Sequence, residues 1–153
     1  MIKCWSLGYE KSKEKARKIY KKIGIVECPI FNDELIAFTS SGFNHLIRKG
    51  RIPRTRNEQK KRFVLLKHAE RIVKKPSSRV LLEYEEREVV VKIKRYGQKI
   101  LVKKKAKFWA FIEKIDGCKI KLVVGQVGNG DKKFISIMGN NVVIRKKNKK
   151  SSK

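Results

Sequence analysis

Along the first half of the chain, apolar positions recur at helical spacing; along the second half they alternate. In "SKEKARKIYKKIG", Ala16, Ile19, Tyr20 and Ile23 fall on one face, and Gly24 follows as a stop signal. The spacing predicts a basic amphipathic helix that begins after Ser12. "IVECPIFNDELIAF" reads as extended segments around Pro29 and an Asn32-Asp33 turn, with Leu35 to Phe38 as a strand. Ser40 or Ser41 can cap a short helix that turns Phe43, Leu46 and Ile47 inward and closes at Gly50. Thr55 to Glu58 has the form of a capping box. The helix behind it carries Phe63, Leu66, Ala69, Ile72 and Val73, and must end near Lys75 because Pro76 disfavours helical geometry in the residue before it.

From Arg79 onward the pattern becomes that of strands. A hairpin turns at Tyr96-Gly97-Gln98, and a three-stranded meander turns at Asp116-Gly117 and Asn129-Gly130, dipeptides that suit type I′ turns. A tight turn fixes the register of its strands. Trp109, Phe111, Ile115, Ile120, Leu122, Val124, Ile135 and Ile137 are then expected on one face, as a core. The other face is expected to carry Phe108, Lys114, Lys119, Lys121, Phe134, Ser136 and Met138. The expected fold is α+β, with N-terminal helices packed on one face of a twisted antiparallel sheet whose opposite face is basic. Residues 1–34 read as a basic helix and linker, 35–139 as the main domain, and 140–153 as a polar, disordered basic tail.

Charge changes this picture more than any motif. The chain has 153 residues, with 41 Lys and Arg against 14 Asp and Glu, a formal net charge of +27. So large an excess of one sign repels itself on compaction and seeks a polyanion. It is spread along the chain instead of gathering on one amphipathic segment, which favours nucleic acid over a membrane surface. Cys4, Cys28 and Cys118 form no metal-binding spacing, so free thiols in a reducing compartment are expected, with no structural zinc and no cofactor. No apolar run reads as a signal peptide or bilayer span, and a cytoplasmic location is expected.

The densest chemistry lies in "FTSSGFNHLIRKGRIPRTRNEQ", where His45 is followed by Arg48, Lys49, Arg51, Arg54 and Arg56. Two readings stand side by side. His45 is a packing residue beside a solvated basic loop, or it belongs to a site that holds and acts on a polyanion. RNA cleavage without a metal needs a proton acceptor for the 2′-hydroxyl, a donor for the leaving oxygen, and cations for the charge on phosphorus. Imidazole suits the first two tasks and guanidinium the third. The candidate catalytic set is His45, Arg62, Lys119 and Ser136. Arg48, Lys49, Arg51, Arg54, Arg56, Lys114, Lys121, Phe108 and Phe134 are candidate RNA contacts. The carboxylates Glu83, Glu85, Glu86 and Glu88 show no metal motif, and read as a charged strand beside a lysine-rich one.

The segment "IAFTSSGFNHLIRKGRIPRTRNEQKKRFVLLKHAERI", followed by "FWAFIEKIDGCKIKLVVGQV" and "KKFISIM", resembles the barnase–EndoU–colicin–RelE superfamily of small endoribonucleases, in particular its phage-associated barnase-like branch. The resemblance covers roughly residues 35–138. It implies a nuclease domain of helices followed by a meander sheet, with a helical His matching His45 in its Gly42-Phe43 setting. It further implies basic phosphate holders matching Arg48 or Arg62 and Lys119, and a last-strand hydroxyl matching Ser136. Leu46-Ile47 stand where many members carry Pro-Glu, and Gln126 stands where a basic residue is common. A toxin role, with an acidic antitoxin or immunity protein as partner, follows from the resemblance alone. A non-catalytic RNA- or DNA-binding module and an adaptor for an acidic protein remain the alternatives.

Overall fold

Strand β1 (Ile2–Trp5) opens the chain in the computed structural model, which describes residues 2–5, 8–76 and 81–145, with side chains at 2, 8–76 and 85–143. Helix α1 (Tyr9–Ile23) buries Ala16, Tyr20 and Ile23, as their spacing requires, and stops at Gly24, whose φ of +60° suits glycine. β2 (Ile25–Cys28), a 3-10 turn at Pro29–Phe31 and β3 (Glu34–Ala37) form a hairpin, with Asn32 and Asp33 both left-handed in its bend. α2 (Ser40–Ile47) starts after Thr39, one position earlier than the serine caps predict. β4 (Arg48–Lys49) and β5 (Ile52–Pro53) turn about Gly50. Helix α3 (Arg56–Lys74) begins where its cap predicts: the Glu58 N–H donates to Thr55 Oγ1 at 3.2 Å. The Glu58 carboxylate turns instead to Arg62.

The remaining strands are β6 (Leu81–Arg95), β7 (Gln98–Ile115), β8 (Cys118–Val127), β9 (Lys132–Gly139) and β10 (Val142–Arg145). The main sheet has the order β2-β3-β9-β8-β7-β6. It is mixed, not wholly antiparallel. The chain leaves β3, passes through α2, α3 and the meander, and returns in β9 parallel to β3. That crossover leaves no sign in local patterning.

Two of the expected boundaries fall. A division at residue 34 would cut the β2–β3 hairpin, and α1 lies in the common core through Tyr20, whose ring meets Phe38, Phe43 and Phe134 edge-on at 5.3 to 5.7 Å. Nor is the stretch from residue 140 all tail. Val142–Arg145 pairs in parallel with β1, and Val142 and Ile2 are buried. Two short apolar strands satisfy each other there, a partnership invisible in either alone. The rest of the expected tail, 146–153, lies outside the described residues.

The helices cover one face of the sheet. Phe111, Ile120, Leu122, Val124, Phe134 and Ile137 meet Leu46, Phe63, Leu66, Ala69, Ile72 and Val73 there. Burying each large side chain is worth about 1.5–3 kcal/mol. Cys28 and Cys118 are free buried thiols within this core.

The β7–β8 register is the predicted one, with both Asp116 and Gly117 at positive φ. The β8–β9 register is not. Gly128, not Asn129, takes positive φ, and a β-bulge between Val123 and Val124 shifts the pairing so that Val124 faces Phe134. One extra residue on β9 reverses its alternation. Phe134 therefore enters the core, stacking on Phe38 at 4.8 Å, while Ile135 moves out beside Gly125 and Phe108. The open face consequently differs from the basic surface expected. Its centre holds Ala106, Phe108, Ala110, Ile112, Val123 and Ile135, and its lysines gather toward the ends of the strands.

Candidate functional site

The approach of α2 to β9 sets the site. A methyl group on Gly42 would lie 2.6 Å from the Phe134 carbonyl oxygen and 2.5 Å from Tyr20 Oη, so only glycine lets the helix backbone come this near. Phe43 and Leu46 point into the core. His45, one position before Leu46, is left on the outer side and opens onto a groove of about 480 Å³ lined with Ser41, Asn44, Arg48 and Gly50.

Arg54 closes the far end of that segment. Its Nε donates to the His45 carbonyl oxygen at 3.0 Å, and its own N–H donates to the Ile47 carbonyl at 2.7 Å. Gln59 Nε2 in turn donates to the Arg54 carbonyl at 2.8 Å, and Tyr9 Oη donates to Gln59 Oε1. The loop between α2 and α3 is thus tied to both helices and to α1. Partial burial and then the Arg54 charge lower the His45 pKa from its usual 6.5, which favours the neutral ring. Burial and the Arg62 charge lower that of Arg54, with Glu58 opposing them, yet a guanidinium stays charged.

Arg62 stands behind this pair. It is 7% exposed. Its Nη1 donates to Ser136 Oγ at 2.8 Å and to the Ile137 carbonyl at 3.2 Å, and its Nε donates to Glu58 Oε1 at 3.1 Å. Helix α3 is thereby pinned to β9 by a buried charged fork. Ser136 is also 7% exposed, on the helix side of the sheet. This overturns its expected place on the open face, and the bulge in β9 is the reason.

Lys119 is not part of this cluster. It is exposed and paired across the strands with Lys114, on the face opposite the helices, beside a groove of about 610 Å³ that also includes Ile112, Glu113, Asn140 and Asn141. Ser136 pairs with Val123, four residues further along β8, about 13 Å away at the usual strand rise. The expectation that Lys119, Ser136 and His45 share one surface therefore fails on two counts, face and distance. Phe134 is fully buried and offers no ring to a base. Phe108 is half-buried on the open face under the Arg87 guanidinium, 4.4 Å from its ring centre. Lys121 is half-buried there too, opposite Ile112 and Met138.

Of the remaining candidates, Arg48, Lys49 and Arg51 are exposed on the small hairpin after His45. Arg56 lies 4.7 Å over the Tyr9 ring. Tyr9 and Gln59, which brace the loop, were not singled out by the sequence, and no spacing rule connects residues 50 positions apart. Glu58 was read only as a cap.

Among the described residues, no group of three or more His, Cys, Asp and Glu side chains is placed to hold a metal ion, and no helix is long and apolar enough to cross a membrane. Comparison with family models, with curated proteins and with solved structures returns no match.

Proposed function

We propose that the protein is a metal-independent endoribonuclease of barnase-like arrangement that cleaves RNA by attack of the 2′-hydroxyl on the adjacent phosphate. One observation carries the reading. An imidazole, His45, opens onto a groove lined by Arg48, with Arg54 bonded to its backbone oxygen, in a chain of net charge +27. His45 accepts the 2′-hydroxyl proton. Arg54 and Arg48 hold the phosphate and offset the charge that builds on phosphorus. The bond from the 2′-oxygen to phosphorus forms and the bond to the 5′-oxygen breaks. The products are a 2′,3′-cyclic phosphate and a 5′-hydroxyl, with the leaving oxygen protonated by solvent. Arg62 and Ser136, both buried, act through others: they fix the α3–β9 junction, and the Arg62 charge acts on Arg54. In this reading Lys119 holds no reacting phosphate. An acidic protein that fills the groove is the partner such a nuclease requires in a cell it would otherwise damage.

A second reading, a non-catalytic RNA-binding module, draws support from the same burial. Arg62 and Ser136 satisfy each other, which leaves the groove one imidazole and no second proton carrier of its own. End-labelled RNA incubated with the protein in EDTA separates the two. Fragments ending in cyclic phosphate from the wild type, and none from His45→Ala, fit the nuclease. RNA that is retained but uncut by both fits the binding module.

A further inference from the structure

Strand β8 pairs with β7 only from Ala106 to Ile115, whereas β6 pairs with β7 out to Arg95 and Gln98. The outer parts of β6 and β7 therefore run beyond the sheet as a two-stranded ribbon that turns at Tyr96-Gly97, both at positive φ. At the usual rise its eight pairs from Glu88 to Arg95 span about 23 Å. An isolated ribbon is marginal in water, so something must hold it. One face does so by apolar pairing: Val91 opposes Val102, Ile93 opposes Ile100, and these side chains are half-buried against each other.

The other face does the opposite. Lys92, Lys94, Lys99, Lys103 and Lys105 alternate along it and are all exposed. Lys94 and Lys99 stand directly across from one another, an arrangement that destabilises a hairpin. From Val89 to Lys107 there are eight Lys and Arg and not one carboxylate. Glu86, which lies 3.9 Å from Lys105, and Glu88 sit at the base of the ribbon, not at its tip. Same-face neighbours on one strand are about 6.6 Å apart and the two strands run about 4.8 Å apart, so the five lysines lie close together around the exposed Val90 and Leu101, with Glu88 opposite Lys105 at the base. Its alternation continues that of Trp109 and Phe111, placing it on the sheet side to which the helices and His45 belong.

We propose that this ribbon is a nucleic-acid arm whose lysine face lies along a sugar-phosphate backbone. The cross-strand repulsion that costs the free ribbon stability is relieved when phosphates come between the lysines. The arm is a separate surface from the His45 groove, so binding and cleavage are separable properties.

The test uses the full chain and a fluorescent 2′-O-methyl RNA of about 20 nucleotides, long enough to track a basic surface and lacking the hydroxyl that cleavage needs. The variant K92Q/K94Q/K99Q/K103Q changes only exposed side chains. Circular dichroism and thermal melting against wild type verify its fold. Loss of four phosphate contacts lowers the slope of log affinity against log salt by about 3, and weakens binding at physiological salt on the order of 100-fold. Unchanged affinity and slope in the quadruple variant overturn the proposal. So does a polyglutamate of matched charge that binds wild type as tightly as the RNA and is lost in the same variant, because the occupant is then an acidic protein. Binding by the arm with no cleavage of natural RNA leaves the arm standing and removes the nuclease.

Discussion

Replacing Arg62 with methionine keeps the aliphatic stem and removes the fork that joins α3 to β9. Ser136 Oγ and the Ile137 carbonyl, 2.8 and 3.2 Å from the guanidinium, lose the Arg62 donor they share. Glu58, whose side chain is 44% exposed, recovers water and costs little. Leaving buried acceptors unpaired costs about 1–3 kcal/mol each, and hydrophobic packing of the methionine returns part of it. We expect Arg62→Met to destabilise the fold by about 2–3 kcal/mol, a fall in Tm of roughly 8 °C for a chain of this size. Ser136→Ala alone is expected to cost about 1–2 kcal/mol, since it removes one hydrogen bond to a charged group. Once the fork is gone the serine has less to lose, so the double variant falls short of the sum by about 1 kcal/mol. Urea unfolding followed by tryptophan fluorescence and circular dichroism measures all three. Additive losses would show that the two side chains do not support each other, and the account of the α3–β9 junction would fail.

Gly42→Ala places a methyl group against the Phe134 carbonyl, a backbone atom that cannot swing aside; it should cost about 1–3 kcal/mol in the same unfolding assay and misplace His45. His68 has its pKa lowered by burial first and by the Lys67 charge next, and its Nε2 is buried without a hydrogen-bond partner. A base whose folded pKa is depressed stabilises the fold above its unfolded value, near 6.5, and loses that stability as pH falls toward the folded value. Wild type should therefore lose more stability than His68→Gln between about pH 6.5 and 5 in paired thermal melts. By the same sign, cleavage that depends on neutral His45 should rise with pH along a limb whose midpoint lies below 6.5, read from kcat/KM against pH.

Much of the local structure was written in residue spacing. The faces of α1 and α3, the Thr55 cap, the stop before Pro76 and the Asp116-Gly117 register are short-range matters, and they occur where predicted. What escaped depends on partners far away in the chain. The parallel pairing of β3 with β9 and of β1 with β10 joins segments that carry no mark of each other. The β9 bulge is the costliest omission. It is one residue of slippage, and it exchanges Phe134 for Ile135 and draws Ser136 toward Arg62. His45 and its arginines were legible because they are neighbours in sequence. Lys119 lies on the open face to which the Asp116-Gly117 register assigns it, and it parts from Ser136 because the bulge carries the serine to the helix side.

The assignment of a proton-transfer role to His45 can be tested by returning the missing group. His45→Ala leaves space beside the groove at a position where the side chain is exposed and Arg54 is held by backbone oxygen. Free imidazole added to this variant in EDTA should restore cleavage in proportion to its unprotonated concentration, while leaving wild type unaffected. Cleavage by the variant at the wild-type rate, or an inactive variant that imidazole does not revive, would contradict the account.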